Sequence, residues 1–174
     1  MSGNLYSSGS ASSDPSGASA PSGGRWRALC RLVAVALHIV RGLYIVYLRL
    51  PHMSRLQRHA QVQQWSAELL RRCGVSLQVC GQLATPANGA GLLLVANHIS
   101  WLDIEALHAV CFCRFVAKSE VEQWPVVGTL ANSAETIYLQ RTSRRDTFRV
   151  LDGIAESLRS GDVVAVFPEG TTSD

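Results

Sequence analysis

His98 and Asp103 are the two side chains of this 174-residue chain whose types and spacing best suit proton transfer. An imidazole takes and returns a proton near neutral pH, and a carboxylate beside it fixes its tautomer and stabilises the imidazolium. The pair sits in Asn97-His98-Ile99-Ser100-Trp101-Leu102-Asp103, where an apolar strand stops and a helix begins. On one continuous helix the two would point about 140° apart. They meet only if His98 precedes the helix and curls back. Ser100 is the natural cap, which places Asp103 at the third helical position. Ser-x-x-Asp is also a capping box, so Asp103 has a second, structural reading as a carboxylate that satisfies helix-end donors. His98 alone likewise reads as a structural histidine. No Gly-x-Ser-x-Gly elbow occurs in the chain, which points to a nucleophile supplied by the substrate, such as a hydroxyl that His98 deprotonates.

Two further strand ends carry polar groups: Tyr138-Leu139-Gln140-Arg141 and Phe167-Pro168-Glu169-Gly170-Thr171. The pattern around them predicts alternation. Strands are expected at 92–96, 114–117, 136–139 and 163–167, with helices at 101–110, 126–133 and 145–159. In the last helix Val150, Ile154 and Leu158 recur every four residues, and Gly161 closes it. A further half-buried strand is expected at 75–80, where Val75, Leu77 and Val79 alternate with polar residues and Cys80. Strands separated by helices imply an α/β sheet with parallel pairs, and such sheets do chemistry beyond the carboxyl ends of their strands.

The formal net charge is only +3, but it is unevenly spread. Residues 25–72 hold nine arginines against one acid, Glu68, whereas residues 73–174 hold seven bases against eleven acids. Charged residues make up 17% and hydrophobic ones 47%. This excludes a disordered polyelectrolyte and a highly charged nucleic-acid binder, and favours a membrane surface as partner. The five cysteines form no Cys-x-x-Cys, and Cys111-Phe112-Cys113 has the wrong spacing for a zinc knuckle, so buried reduced thiols are expected and no metal.

Residues 1–24 contain nine Ser and five Gly and read as a disordered tail. Residues 25–50 form an amphipathic helix whose Arg27, Arg31, His38, Arg41 and Arg49 fall on one narrow stripe. It suits the bilayer interface, with the arginine heads at the phosphates. A transmembrane span is the rival, at a cost of about 2.5–3.5 kcal/mol for Arg41 at mid-depth; a buried core helix is the third reading. Pro51 ends this helix, and Ser54 caps a second that runs to about Arg72, with Gly74 just beyond.

His-x4-Asp preceded by Asn, then a strand-end Arg, then Phe-Pro-Glu-Gly-Thr about 70 residues after the histidine, resembles the glycerolipid acyltransferases. The likeness is strongest to the 1-acyl-sn-glycerol-3-phosphate acyltransferases, and Ala117-Lys118-Ser119-Glu120, Trp124-Pro125 and Gly128 share it. The resemblance implies a glycerol-3-phosphate-acyltransferase-like α/β sheet flanked by helices over 74–174, preceded by a membrane-associated helical pair over 25–73. It implies His98 as general base with Asp103 as its partner, and Arg141 as the group that binds the acceptor phosphate. Without the resemblance Arg141 is a solvated charge beside Arg144 and Arg145. Glu169, Gly170 and Thr171 would organise the acceptor site, with Lys118 a weaker candidate for phosphate contact or for lining an acyl channel. Phe167 and Pro168 read as structural. The donor would be acyl-CoA or acyl carrier protein, with no other cofactor. The expected product is phosphatidate, made at the cytoplasmic face of the inner membrane.

The chain ends three residues after Thr171, whereas family members continue with further sheet elements and a fourth motif. A fragment is therefore expected, with an incomplete domain, a final strand that lacks neighbours and an open acceptor pocket. Rival readings are transfer to another lysolipid (lyso-ornithine lipid or lysophosphatidylglycerol), an inactive membrane-binding fragment, and a hydrolase, which the missing nucleophile elbow disfavours.

Overall fold

The computed structural model describes residues 23–84, 89–139 and 144–168. The tail expected over 1–24 falls almost wholly outside them. Helix α1 (Gly23–Tyr44) continues through a wide turn at Ile45–Arg49 and a tight one at Leu50–His52, where Pro51 ends it. Helix α2 (Arg55–Cys73) begins as expected: Ser54 Oγ accepts from the Gln57 N–H, and the Gln57 side chain accepts from the Ser54 N–H. It closes on Gly74 at φ 78°, a left-handed turn that glycine adopts without strain.

The two helices pack through a small residue. A side chain at Gly42 would place its first carbon 2.7 Å from Trp65 Nε1, so the absence of one lets the indole lie against α1. Trp65 donates to the His38 carbonyl, and the imidazole of His38, 1% exposed, bonds the Trp65 carbonyl at 3.0 Å. Arg41 donates to Glu68 at 2.7 Å, and Arg72 binds the same carboxylate. The expected basic stripe therefore turns partly inward. His38 is buried and Arg41 is paired with α2, rather than both facing lipid phosphates. The outward side of α1 is instead apolar, with Trp26, Leu32, Leu37, Val40 and Tyr44 all more than half exposed. Among the described residues, the stretch Arg25–His52 is the one helix long and apolar enough to cross a membrane, by length and composition.

No strand forms at 75–80. Val75, Leu77 and Val79 are exposed, and no described strand lies alongside to accept the ladder that their alternation encodes. Beyond it come β1 (Leu92–Val95), α3 (Leu102–Val110), β2 (Arg114–Lys118), α4 (Val127–Ser133), β3 (Ile137–Leu139), α5 (Arg144–Arg159) and β4 (Val163–Val166). Each lies within a residue or two of its expected place. The sheet order is β1-β4-β2-β3, and every pairing is parallel. The expectation that the last strand lacks neighbours is not met. β4 is central, with Leu92 opposite Val163 on one side and Phe115 opposite Ala165 on the other. Its Val-Val-Ala-Val run suits a strand covered on both faces, and Val164 and Ala165 are buried. Phe115, Cys113 and Ala165 form the centre of the core, against Ile104 and Leu107 of α3. Burial of the cysteines is true of Cys113 alone; all five are free thiols, and Cys30 and Cys80 are exposed.

A charged network ties α2 to the sheet. Arg55 donates to Asp162 at 2.7 Å and to Glu135 at 3.1 Å. Arg114 donates to the Ser157 hydroxyl at 2.7 Å and to the Glu135 carbonyl at 3.0 Å, and reaches Asp162 at 3.4 Å. His59 adds a contact with Glu135 at 3.3 Å.

The hydrogen bond from Arg72, joined by one from Arg41, outweighs burial and holds Glu68 at about 2 against an ordinary 4.5. The folded value lies below the unfolded one. This stabilisation is thus complete above pH 4.5 and is lost as pH falls toward 2. Unfolding midpoints measured across that window are expected to fall with acidification, and to fall less in Glu68→Gln. Superimposable profiles would contradict the pairing.

Candidate active site

The parallel sheet sends all four strand ends to one side. Val95 pairs with Val166, and the Ala96 N–H extends the ladder to the Val166 carbonyl at 3.3 Å. The segments just beyond β1 and β4 therefore leave the sheet as neighbours. His98 lies on the first and Phe167 on the second, and their rings stack with centroids 4.2 Å apart and planes 17° apart. Phe167 stacks in turn on Phe115 at 5.4 Å, which joins the imidazole to the core. Phe167 is thus a supporting residue that sequence reasoning left as structural. The signal for it was its place at the end of the strand that pairs with β1.

His98 precedes α3 and curls back, as the spacing requires if the pair is to meet. Its Nδ1 lies 3.3 Å from Asp103 Oδ2, with the two side chains 18% and 34% exposed. The same oxygen accepts from the N–H groups of Ile99 at 2.7 Å and Ser100 at 2.8 Å. Ser100 Oγ accepts from the Leu102 N–H at 3.1 Å, one residue short of the ideal capping-box partner. One carboxylate therefore accepts from two N–H groups of the turn leading into α3 and also faces the imidazole. Burial alone would raise its pKa. The Ser100 and Ile99 N–H groups and the adjacent His98 more than offset this and hold it below the usual carboxylate range.

Behind α3 lies an apolar cavity of about 520 Å³. It is enclosed by α2, α3, α4, β2 and the turn at Ile45–Leu50, and Trp101 at the start of α3 lines it. Its size and lining are those of a site for an apolar ligand. Ala117 and Val121 line it, whereas Lys118, exposed at the end of β2, does not. Sequence reasoning also missed Ser66, Glu105 and His108, polar residues in the cavity wall. Arg141, Glu169, Gly170 and Thr171 lie outside the described residues. Among the described residues, no three His, Cys, Asp or Glu side chains converge as a metal ion would need.

A family model described as acyltransferase matches residues 76–174, more than half of the chain. The chain belongs to the acyltransferase family. Its relatives in that family include a 1-acyl-sn-glycerol-3-phosphate acyltransferase of Neisseria meningitidis, 36% identical over 86% of this chain and 56% of that one. They also include a lyso-ornithine lipid O-acyltransferase of Rhizobium meliloti, 35% identical over 84% of this chain and 49% of that one. The chain thus spans about half the length of these relatives. In fold it resembles the crystal structure of the 1-acyl-sn-glycerophosphate acyltransferase of Thermotoga maritima, with a TM-score of 0.59 at 23% identity over 82% of this chain and 64% of that one. The α/β class and the family expected from the motifs both hold.

If Asp103 caps α3, Asp103→Ala is expected to lower the free energy of unfolding by about 1 kcal/mol. Asp103→Asn keeps an acceptor for the Ile99 and Ser100 N–H groups and is expected to lose less. Equal losses in a urea titration would contradict the capping role.

Proposed function

We propose that the full-length protein transfers a fatty acyl group from an acyl thioester to the sn-2 hydroxyl of lysophosphatidate, giving phosphatidate. The observation that carries this reading is the His98–Asp103 contact of 3.3 Å at the carboxyl end of a parallel sheet. In this reading His98 removes the proton from the acceptor hydroxyl as that oxygen attacks the thioester carbonyl. The tetrahedral intermediate then collapses, the carbon–sulfur bond breaks, and His98 returns the proton to the leaving thiolate. Asp103 holds the tautomer and stabilises the imidazolium. The donor is acyl-CoA or acyl carrier protein, and its chain lies in the apolar cavity behind α3. Arg141 takes the acceptor phosphate, since a guanidinium donates bidentately to phosphate oxygens. Glu169, Gly170 and Thr171 shape the acceptor side. The exposed apolar side of α1 rests in the membrane that supplies the acceptor, at its cytoplasmic face.

In the full-length protein His98→Ala is expected to reduce acyl transfer by at least about 100-fold while leaving membrane binding intact. Transfer at the wild-type rate would remove His98 from the mechanism.

The relative named for lyso-ornithine lipid, which matches nearly as well as the one named for 1-acyl-sn-glycerol-3-phosphate, favours lyso-ornithine lipid as a second acceptor. Its headgroup carries no phosphate. If lysophosphatidate is the acceptor, Arg141→Ala should raise its KM about 10- to 100-fold, the loss of a charge-assisted bond. An unchanged KM for lysophosphatidate, together with faster wild-type turnover of lyso-ornithine lipid, would decide for the second acceptor.

A further inference from the structure

Helix α3 serves two sites. Asp103 faces His98 at its start. Glu105, two residues later, projects about 200° further round, toward α2 and the apolar cavity. Ser66 of α2, 1% exposed, meets it across the cavity wall. The Ser66 hydroxyl lies close enough to partly offset the effect of burial on the Glu105 carboxyl, but the contact is not a well-formed hydrogen bond, and neither Ser66 Oγ nor Glu105 Oε2 has a partner of good geometry among the described residues. Buried polar atoms are nearly always paired, and two orphans on one apolar cavity ask for a ligand atom that pairs them.

The chemistry of that atom is set by its surroundings. Burial pushes the Glu105 carboxyl upward, and its Oε2 offers an acceptor beside the Ser66 hydroxyl, which both donates and accepts. Burial pushes the nearby His108 down to about 4, and it bonds the Cys113 carbonyl at 3.0 Å, so His108 adds no charge to this wall. A hydrocarbon chain alone leaves Ser66 and Glu105 unpaired. An anionic group would find no Lys or Arg in this wall. A hydroxyl both donates and accepts, and matches the pair.

We propose that Ser66 and Glu105 form a polar subsite for a hydroxyl carried on the acyl chain, so that this chain selects hydroxyacyl thioesters among its donors. The proposal rests on the reading of the cavity as the acyl site.

The test uses the full-length protein with lysophosphatidate, an unsubstituted acyl-CoA, and acyl-CoAs of the same length with the hydroxyl at successive positions. For at least one position the wild-type kcat/KM is expected to exceed that of the unsubstituted donor. Glu105→Leu is expected to cut that ratio about 10-fold or more, since it leaves the hydroxyl without its partner. Ser66→Ala should cut it too, and Glu105→Gln less than Glu105→Leu. The last two are conservative enough to read the ratio should Glu105→Leu fail to fold. A ratio below one at every position, or one that no substitution moves, overturns the proposal alone; buried water would then pair these atoms. Absence of transfer from every donor overturns the acyltransferase reading and this proposal with it.

Discussion

The parallel pairing of β1 with β4 is the constraint on which the site depends. These strands lie far apart in sequence, and their register sets Val95 opposite Val166. Both then stop within a residue or two of each other in space, and that fact alone places the segments that leave them. His98 and Phe167 stack because their strands end together. A slip of one residue would turn the alternate side chains of β1 to the other face and separate the two rings. The imidazole is thus positioned by the sheet, through Phe167 and Phe115, before any hydrogen bond acts on it.

Asp103 completes that placement economically. At the start of α3 the backbone N–H groups point outward with no helical partner, and the helix dipole favours a negative charge there. A carboxylate at this place is held as an anion by Ser100 and Ile99 whether or not an imidazole is near. The same group then presents a fixed negative charge to His98. The contacts with the backbone and with the imidazole are made by one side chain, which is why neither reading excluded the other.

Much of this was legible because it is local. Ser54, Gln57 and Gly74 mark the limits of α2 through caps that a few neighbouring residues decide. The strand and helix periods from residue 92 onward match the elements observed. What failed was set by distant partners. Alternation at 75–80 encodes a strand face, but a strand needs a neighbour, and no described strand supplies one. The basic stripe of α1 was read as facing phosphates because sequence shows which residues share a side, not what lies against it. Glu68 and Trp65 of α2 claimed Arg41 and His38. The polar pair in the cavity was invisible for the same reason, since Ser66 and Glu105 belong to different helices.

Arg55 and Arg114, with Glu135 and Asp162 between them, join the start of α2 to the sheet, while His38, Trp65 and Glu68 join α2 to α1. The helical pair and the α/β half are in this way linked by side-chain bonds at both ends of α2. If α1 lies in a bilayer as proposed, the same linkage ties the altitude of the imidazole above the headgroups to the depth of α1. In the proposed reading, that height would set the level at which an acceptor hydroxyl meets His98.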